Sequence, residues 1–147
     1  MIVSSAVEGS VDGAVARRLI LFSGGIPGPV YGHKGKHYLR DKIAGYSRAA
    51  QLSPWLVLTD LDHDADCAPS LRRTWLSQSS PHLCFRIAVR EVEAWLLADG
   101  KHMAEFLKVP MSQVPQCPDL LDDPKRVIVD LARSSQSREM REDMVPK

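Results

Sequence analysis

Asp60, Asp62, Asp64 and Asp66 follow directly on the apolar stretch Trp55-Leu56-Val57-Leu58, placing an acid at every second position where a buried strand gives out. Carboxylates crowded at the tip of a sheet repel one another and lose hydration, a cost that a cation, a cationic side chain or open solvent must offset. For an all-oxygen set the simplest cation is Mg2+ or Mn2+. Asp60, nearest the strand and held most rigidly, and Asp62, two residues on and on the same side, are the principal candidate ligands. Asp64 is a third, Asp66 faces solvent, and His63 alternates out of the set as an exposed loop residue. A calcium loop of the D-x-D-x-D type needs Gly at its sixth position and a bidentate Glu at its twelfth. Here those positions hold Ala65 and Leu71, and a strand precedes the run in place of a helix. The plainer alternative is a solvated loop in which the aspartates serve turns.

Three further groups could join this chemistry. Glu8 closes the strand-like run Ile2–Val7 and is followed by Gly9, which lets the backbone turn and a ligand approach closely. Its bland role is to compensate, with Asp12, the positive end of the following helix. Glu93, in the run Arg90-Glu91-Val92-Glu93-Ala94-Trp95-Leu96-Leu97, stands at the border of an apolar helix face, where an acid needs a reason. Glu91 is not excluded by spacing, and an edge residue paired with Arg90 remains the alternative. The basic stretch His33, Lys34, Lys36, His37, Arg40, Lys42 and Arg48 is opposed only by Asp41; with Gly32 and Gly35 easing backbone approach it suits phosphate binding, and equally a solvated helix face. No G-x-x-x-x-G-K-[ST] loop and no nucleophile motif occurs, which argues against an NTPase loop and a covalent hydrolase.

The elements that must position these groups alternate. Ile2–Val7 reads as a strand, Ser10 as the N-cap of a helix with Val11, Val15, Leu19 and Phe22 at helical spacing, and Ser23–Pro29 as a breaker cluster before a short strand at Val30-Tyr31. A helix over about Lys36–Gln51 leads to the central strand, Pro54–Leu58, whose lack of polar alternation marks burial on both faces. A helix at about Ser70–Ser77, a strand at Leu83–Val89 and a helix at Arg90–Asp99 follow. This alternation predicts an α/β domain with a mostly parallel sheet, whose ligands gather outside the carboxyl ends of its strands. Both Glu8 and Asp60 fall on that rim. The last third, punctuated by Pro110, Pro115 and Pro118, reads as less regular: Asp122-Asp123-Pro124-Lys125 opens a helix with Val127, Ile128 and Leu131, and Ser134–Lys147 is polar with no obvious closing element.

At 147 residues, 44% hydrophobic and 25% charged, the chain suits one globular domain over residues 1–147. A net charge of +1 gives no global pull on nucleic acid or membrane, so a polyanion site must be a local patch. The absence of a signal-like start and of a membrane-length apolar run points to a cytoplasmic protein without a membrane partner. Cys67, Cys84 and Cys117 lack zinc-site spacing and read as reduced, half-buried bystanders.

Glu8-Gly9 after a first strand and Asp60-x-Asp62 after a later one resemble the Toprim domain of topoisomerases, primases and overcoming-lysogenization-defect nucleases. The run Val89–Asp99, with Asp123-Pro124-Lys125 and Asp143-Met144-Val145-Pro146, is similar more narrowly to the bacterial domain of unknown function 4276 family, over nearly the whole chain. The resemblance implies a Toprim-like (Rossmann-like) sheet flanked by helices and a metal-dependent phosphodiesterase, nuclease in type. Mg2+ or Mn2+ would be held by Glu8, Asp60, Asp62 and Asp64. Glu8, Asp60, Asp62 and Glu93 would be the catalytic acids, and Lys34, Lys36, Arg90 and Lys125 the phosphate contacts. It further implies a nucleic-acid substrate, DNA or RNA, and a phage-defence or mobile-element setting with an ATPase partner encoded nearby. Family members continue past Met144-Val145-Pro146, so the chain looks shortened at its C-terminus. The runner-up expectation is a non-catalytic Toprim-like module that docks on an ATPase or nucleic acid. A phosphoacceptor domain of the receiver type is weaker, because that class wants an acidic pair after the first strand and only Glu8 is present. Strand passage of the topoisomerase kind is excluded by size.

Overall fold

The structure, a computed structural model, describes residues 1–76, 78 and 80–146, and the chain divides into two compact units, Met1–Ala88 and Val89–Lys147. Among the described residues no helix is long and apolar enough to cross a membrane.

The first unit is an α/β layer structure. Strands β1 (Ile2–Val7), β2 (Ile26–Gly32), β3 (Trp55–Asp60) and β4 (Leu83–Ala88) form one all-parallel sheet in the order β2-β1-β3-β4. Helices α1 (Ser10–Phe22), α2 (Gly35–Ala49) and α3 (Ala68–Trp75) make the connections. The expected strand at Val30-Tyr31 is therefore longer. Its Pro27 and Pro29 are tolerated because β2 is an edge strand with one side free of ladder bonds. As expected, β3 is central and buried from Trp55 to Thr59; the strand runs on to include Asp60, so the first acid belongs to the sheet. The helix expected at about Ser70–Ser77 starts two residues earlier, and Ser77 lies outside the described residues.

Side-chain alternation sorts the core. Ala6, Trp55, Val57, Leu83 and Phe85 cluster with Leu39 and Ile43 of α2, and Trp55 stacks on both Tyr31 and Tyr46 at 5.2 Å between ring centres. On α1 the buried positions are Asp12, Gly13, Ala16 and Ile20, whereas Val11 and Phe22 are exposed. The face expected from Val11, Val15, Leu19 and Phe22 is thus not the one that packs. Small residues let the helix approach closely, and a Cβ on Gly13 would meet His33, Val30 and Val7 within 4 Å. Gly9, not Ser10, is the N-cap.

The second unit is helical: α4 (Val92–Ala98), α5 (Gly100–Leu107), α6 (Pro124–Arg133) and α7 (Arg138–Met144), with two short 3-10 turns between α5 and α6. Leu97, Ala104, Leu107, Val109, Val114, Ile128, Leu131 and Ala132 form its core. The chain does have a last element where none was expected: Ser137 caps α7, and Met140 and Met144 pack against this core. The three cysteines are exposed, correcting the half-buried expectation. Asp123 caps α6, its Oδ1 accepting from the Arg126 amide at 2.8 Å, with Pro124 in the first turn. Asp123→Ala is expected to lower the stability of this unit by about 1 kcal/mol. Chemical denaturation followed by helical circular dichroism checks this, and an unchanged midpoint would mean that water replaces the cap at no cost.

Candidate functional site

The strand order reverses its direction of growth between β1 and β3, since β2 lies on one side of β1 and β3 on the other. In open parallel sheets ligands bind at such a switch point, outside the carboxyl ends of the strands. Glu8 immediately follows β1 and Asp60 ends β3, so the two acids flank this crevice.

Glu8 does not serve the helix it precedes. Its Oε1 crosses to β3, where it accepts from the Thr59 hydroxyl and from the Asp60 amide, the latter at 2.8 Å. Asp12 takes the helix-start role, its Oδ2 accepting from the Gly9 amide at 3.0 Å. Burial pushes the Glu8 carboxyl above its ordinary range; the hydrogen bonds from Thr59 and Asp60 and the Lys36 charge oppose that rise, and the Asp12 charge adds to it. Thr59 is fully buried and belongs to the site although sequence reasoning passed over it. Its only signal is a hydroxyl inside an otherwise apolar strand, one residue before the first acid.

Lys36 reaches the crevice because the connection from β2 to α2 is tied to the end of β1. The amides of His33 and Gly35 donate to the carbonyls of Val7 and Glu8, both at 3.1 Å. Gly32 makes this approach: its φ is +95°, and a Cβ there would lie 2.1 Å from the Val7 carbonyl oxygen. The first turn of α2 is thereby held beside the acidic loop, and Lys36 Nζ pairs with Asp62 Oδ2 at 2.6 Å and Asp64 Oδ2 at 2.7 Å. The lysine side chain is 16% exposed against 41% and 49% for the two aspartates. Burial acts to lower the lysine pKa, but the hydrogen bonds and charges of Asp62 and Asp64, helped by Glu8, outweigh it and raise it.

The compensating cation of the acidic run is therefore, in this arrangement, a lysine ammonium. The carboxylates are hard oxygen donors of the class that Mg2+ and Mn2+ take. As placed, however, they do not fit a metal: Glu8 is turned to β3 and Asp62 and Asp64 to Lys36. Among the described residues no three His, Cys, Asp or Glu side chains are grouped to hold an ion. His63 and Asp66 are exposed, as expected.

The other candidates divide between the units. Lys34 stands in the first, over the Tyr38 ring at 5.1 Å, with Lys42 over the same ring at 5.9 Å. Arg90, Glu93 and Lys125 stand in the second. Glu93 is buried in α4, at 9% exposure, instead of lying at the border of its apolar face. Glu91 is the α4 N-cap residue and its Oε2 accepts from the Lys125 amide at 2.8 Å, a structural link between the starts of α4 and α6. Glu8, Asp60, Asp62, Asp64 and Lys36 are thus the expected residues that the first unit gathers on one rim.

A cavity of about 450 Å³ opens beside this rim, lined by Lys36, His37, Arg40, Asp62, Asp64 and by Leu71, Thr74 and Trp75 of α3. No family model matches the chain, and neither a curated protein nor a solved structure matches it.

Proposed function

We propose that the rim at the β1/β3 switch point is a Toprim-like phosphoryl-transfer site that hydrolyses phosphodiesters, nuclease-like in its substrate class. The observation that supports this reading is a partly buried carboxyl of raised pKa, Glu8, fixed by two donors from β3 on the rim that also carries Asp60, Asp62 and Lys36. A carboxyl whose pKa burial raises, set in a crevice, is a candidate for proton transfer. Glu8 moves the proton at Oε1 or Oε2. Arg40 adds positive charge for a phosphate to the adjoining cavity, where Lys36 is shared with Asp62 and Asp64. Mg2+ or Mn2+, the cofactor the resemblance implies, does not fit these carboxylates while Lys36 holds Asp62 and Asp64, so this reading gives the ion no step.

A second reading has its own support. Because Lys36 already neutralises Asp62 and Asp64, the same rim suits a non-catalytic module that docks on nucleic acid or on an ATPase partner.

The test is a cleavage assay with Mn2+, and separately with chelator, on single- and double-stranded DNA, RNA and a generic phosphodiester. The expected result is cleavage that falls about ten- to a hundredfold in Asp62→Asn, the chelator arm deciding whether an ion takes part. Equal cleavage by wild type and Asp62→Asn would place the activity elsewhere. Binding without cleavage by any of the proteins would favour the docking module.

A further inference from the structure

A second cavity, of about 460 Å³, lies between α3 and β4 and is lined by Arg72, Arg73 and Arg86, with Leu76, Phe85 and Ile87 among its apolar walls. No aspartate or glutamate lines it, and among the described residues none of the three arginines makes an ion pair. Arg86 makes one long hydrogen bond, Nη1 to the Phe85 carbonyl at 3.4 Å. The stack of Trp75 on Phe85, 5.9 Å between ring centres, joins α3 to β4 and fixes the walls. The three arginines are exposed around one hollow with no carboxylate in its lining, and guanidinium forks match phosphate oxygens in pairs.

The two cavities share α3. Leu71, Thr74 and Trp75, spaced three and four apart, border the switch-point cavity, while Arg72, Arg73 and Leu76 border the second. They are successive faces of one helix turn. We propose that the α3–β4 cavity is a phosphate-binding site, placed to take a phosphate group of a nucleic-acid strand that crosses α3 from the switch-point cavity. A free nucleotide offers the same chemistry, with its base against the apolar walls. The inference goes beyond the hydrolytic reading and does not depend on turnover.

The experiment measures binding with chelator present, by calorimetry for pyrophosphate and a mononucleotide and by anisotropy for a labelled single-stranded oligonucleotide. Wild type is compared with Arg86→Gln and with Arg72→Gln/Arg73→Gln, each first shown to melt like wild type. Binding is expected to weaken about tenfold for Arg86→Gln and further for the double variant, and the salt dependence to flatten by about one phosphate contact per arginine. Arginine-dependent binding of the oligonucleotide alone supports the strand, and of the mononucleotide or pyrophosphate the free ligand. Binding of none of them, or equal binding by wild type and both variants, overturns the site. A protein that binds through these arginines yet cleaves nothing would remove the hydrolytic reading and leave this one standing.

Discussion

Glu8→Gln is expected to lower phosphodiester turnover by about a hundredfold to ten-thousandfold, the range a positioned general acid or base contributes, while making the protein more stable at neutral pH. The amide oxygen of glutamine can still accept from Thr59 and from the Asp60 amide, so the fixed geometry survives and the proton-carrying function does not. The stability gain follows from the raised pKa, whose largest cause is burial. Between the ordinary 4.5 and the raised folded value, the native state binds more protons at Glu8 than the unfolded chain does. Native stability from this group therefore falls as pH rises through that window, and the deficit persists above it. The melting advantage of Glu8→Gln should accordingly be present at pH 7 and vanish below about 4.5. A variant that melts below wild type at neutral pH would show the carboxylate to be a net stabiliser, and retained activity would remove Glu8 from the chemistry.

What local sequence could disclose was the frame of this site. An apolar run without alternation ending in an acid marks a central parallel strand, and Glu8-Gly9 after a shorter run marks a second strand end. Together they locate the rim, because parallel sheets put their ligand crevice there. The partners of these acids were not legible in the same way. Lys36 lies 26 residues from Asp62, and their pairing depends on Gly32 bringing the chain against the Val7 carbonyl, a tertiary approach with no local period. Sequence alone offers Lys36 as a phosphate contact, and the fold adds its pairing with Asp62 and Asp64. Helix α1 misled for a related reason: counting large apolar residues selects Val11 and Phe22, but close approach selects Gly13 and Ala16. The proline-rich β2 looked like a breaker because proline forbids ladder bonds in a sheet interior, a rule that an edge strand escapes. In the second unit α7 buries only part of each of its apolar residues, so its segment reads as a polar tail. Arg72 and Arg73 of α3 carry no local signal of a site, since their meeting with Arg86 is made by the fold.

Lys36→Ala tests whether that lysine is the resident cation of the acidic loop. Removing the ammonium takes from Asp62 and Asp64 the charge they share. Exposed ion pairs are worth at most about 1 kcal/mol, and breaking a buried one costs about 3–5 kcal/mol. With the lysine mostly shielded and the aspartates nearly half exposed, the expected loss lies between, at about 2 kcal/mol in the presence of chelator. The raised lysine pKa sets the sign with pH: the stabilisation is fully present below the ordinary 10.5 and is lost as pH rises through the higher folded value. The gap between wild type and variant should thus stay level through neutral pH and close only in strong alkali. The same substitution frees the two carboxylates for a divalent ion. Millimolar Mg2+ or Mn2+ should therefore raise the melting temperature of Lys36→Ala more than that of wild type, by linkage of binding to folding. Adding Asp62→Asn and Asp64→Asn to Lys36→Ala should restore stability by relieving the repulsion and abolish the response to the ion. Small, equal shifts with metal in wild type and Lys36→Ala would mean that these carboxylates take solvent in preference to a cation, and the rim would then act through its lysine and arginine side chains as a docking surface.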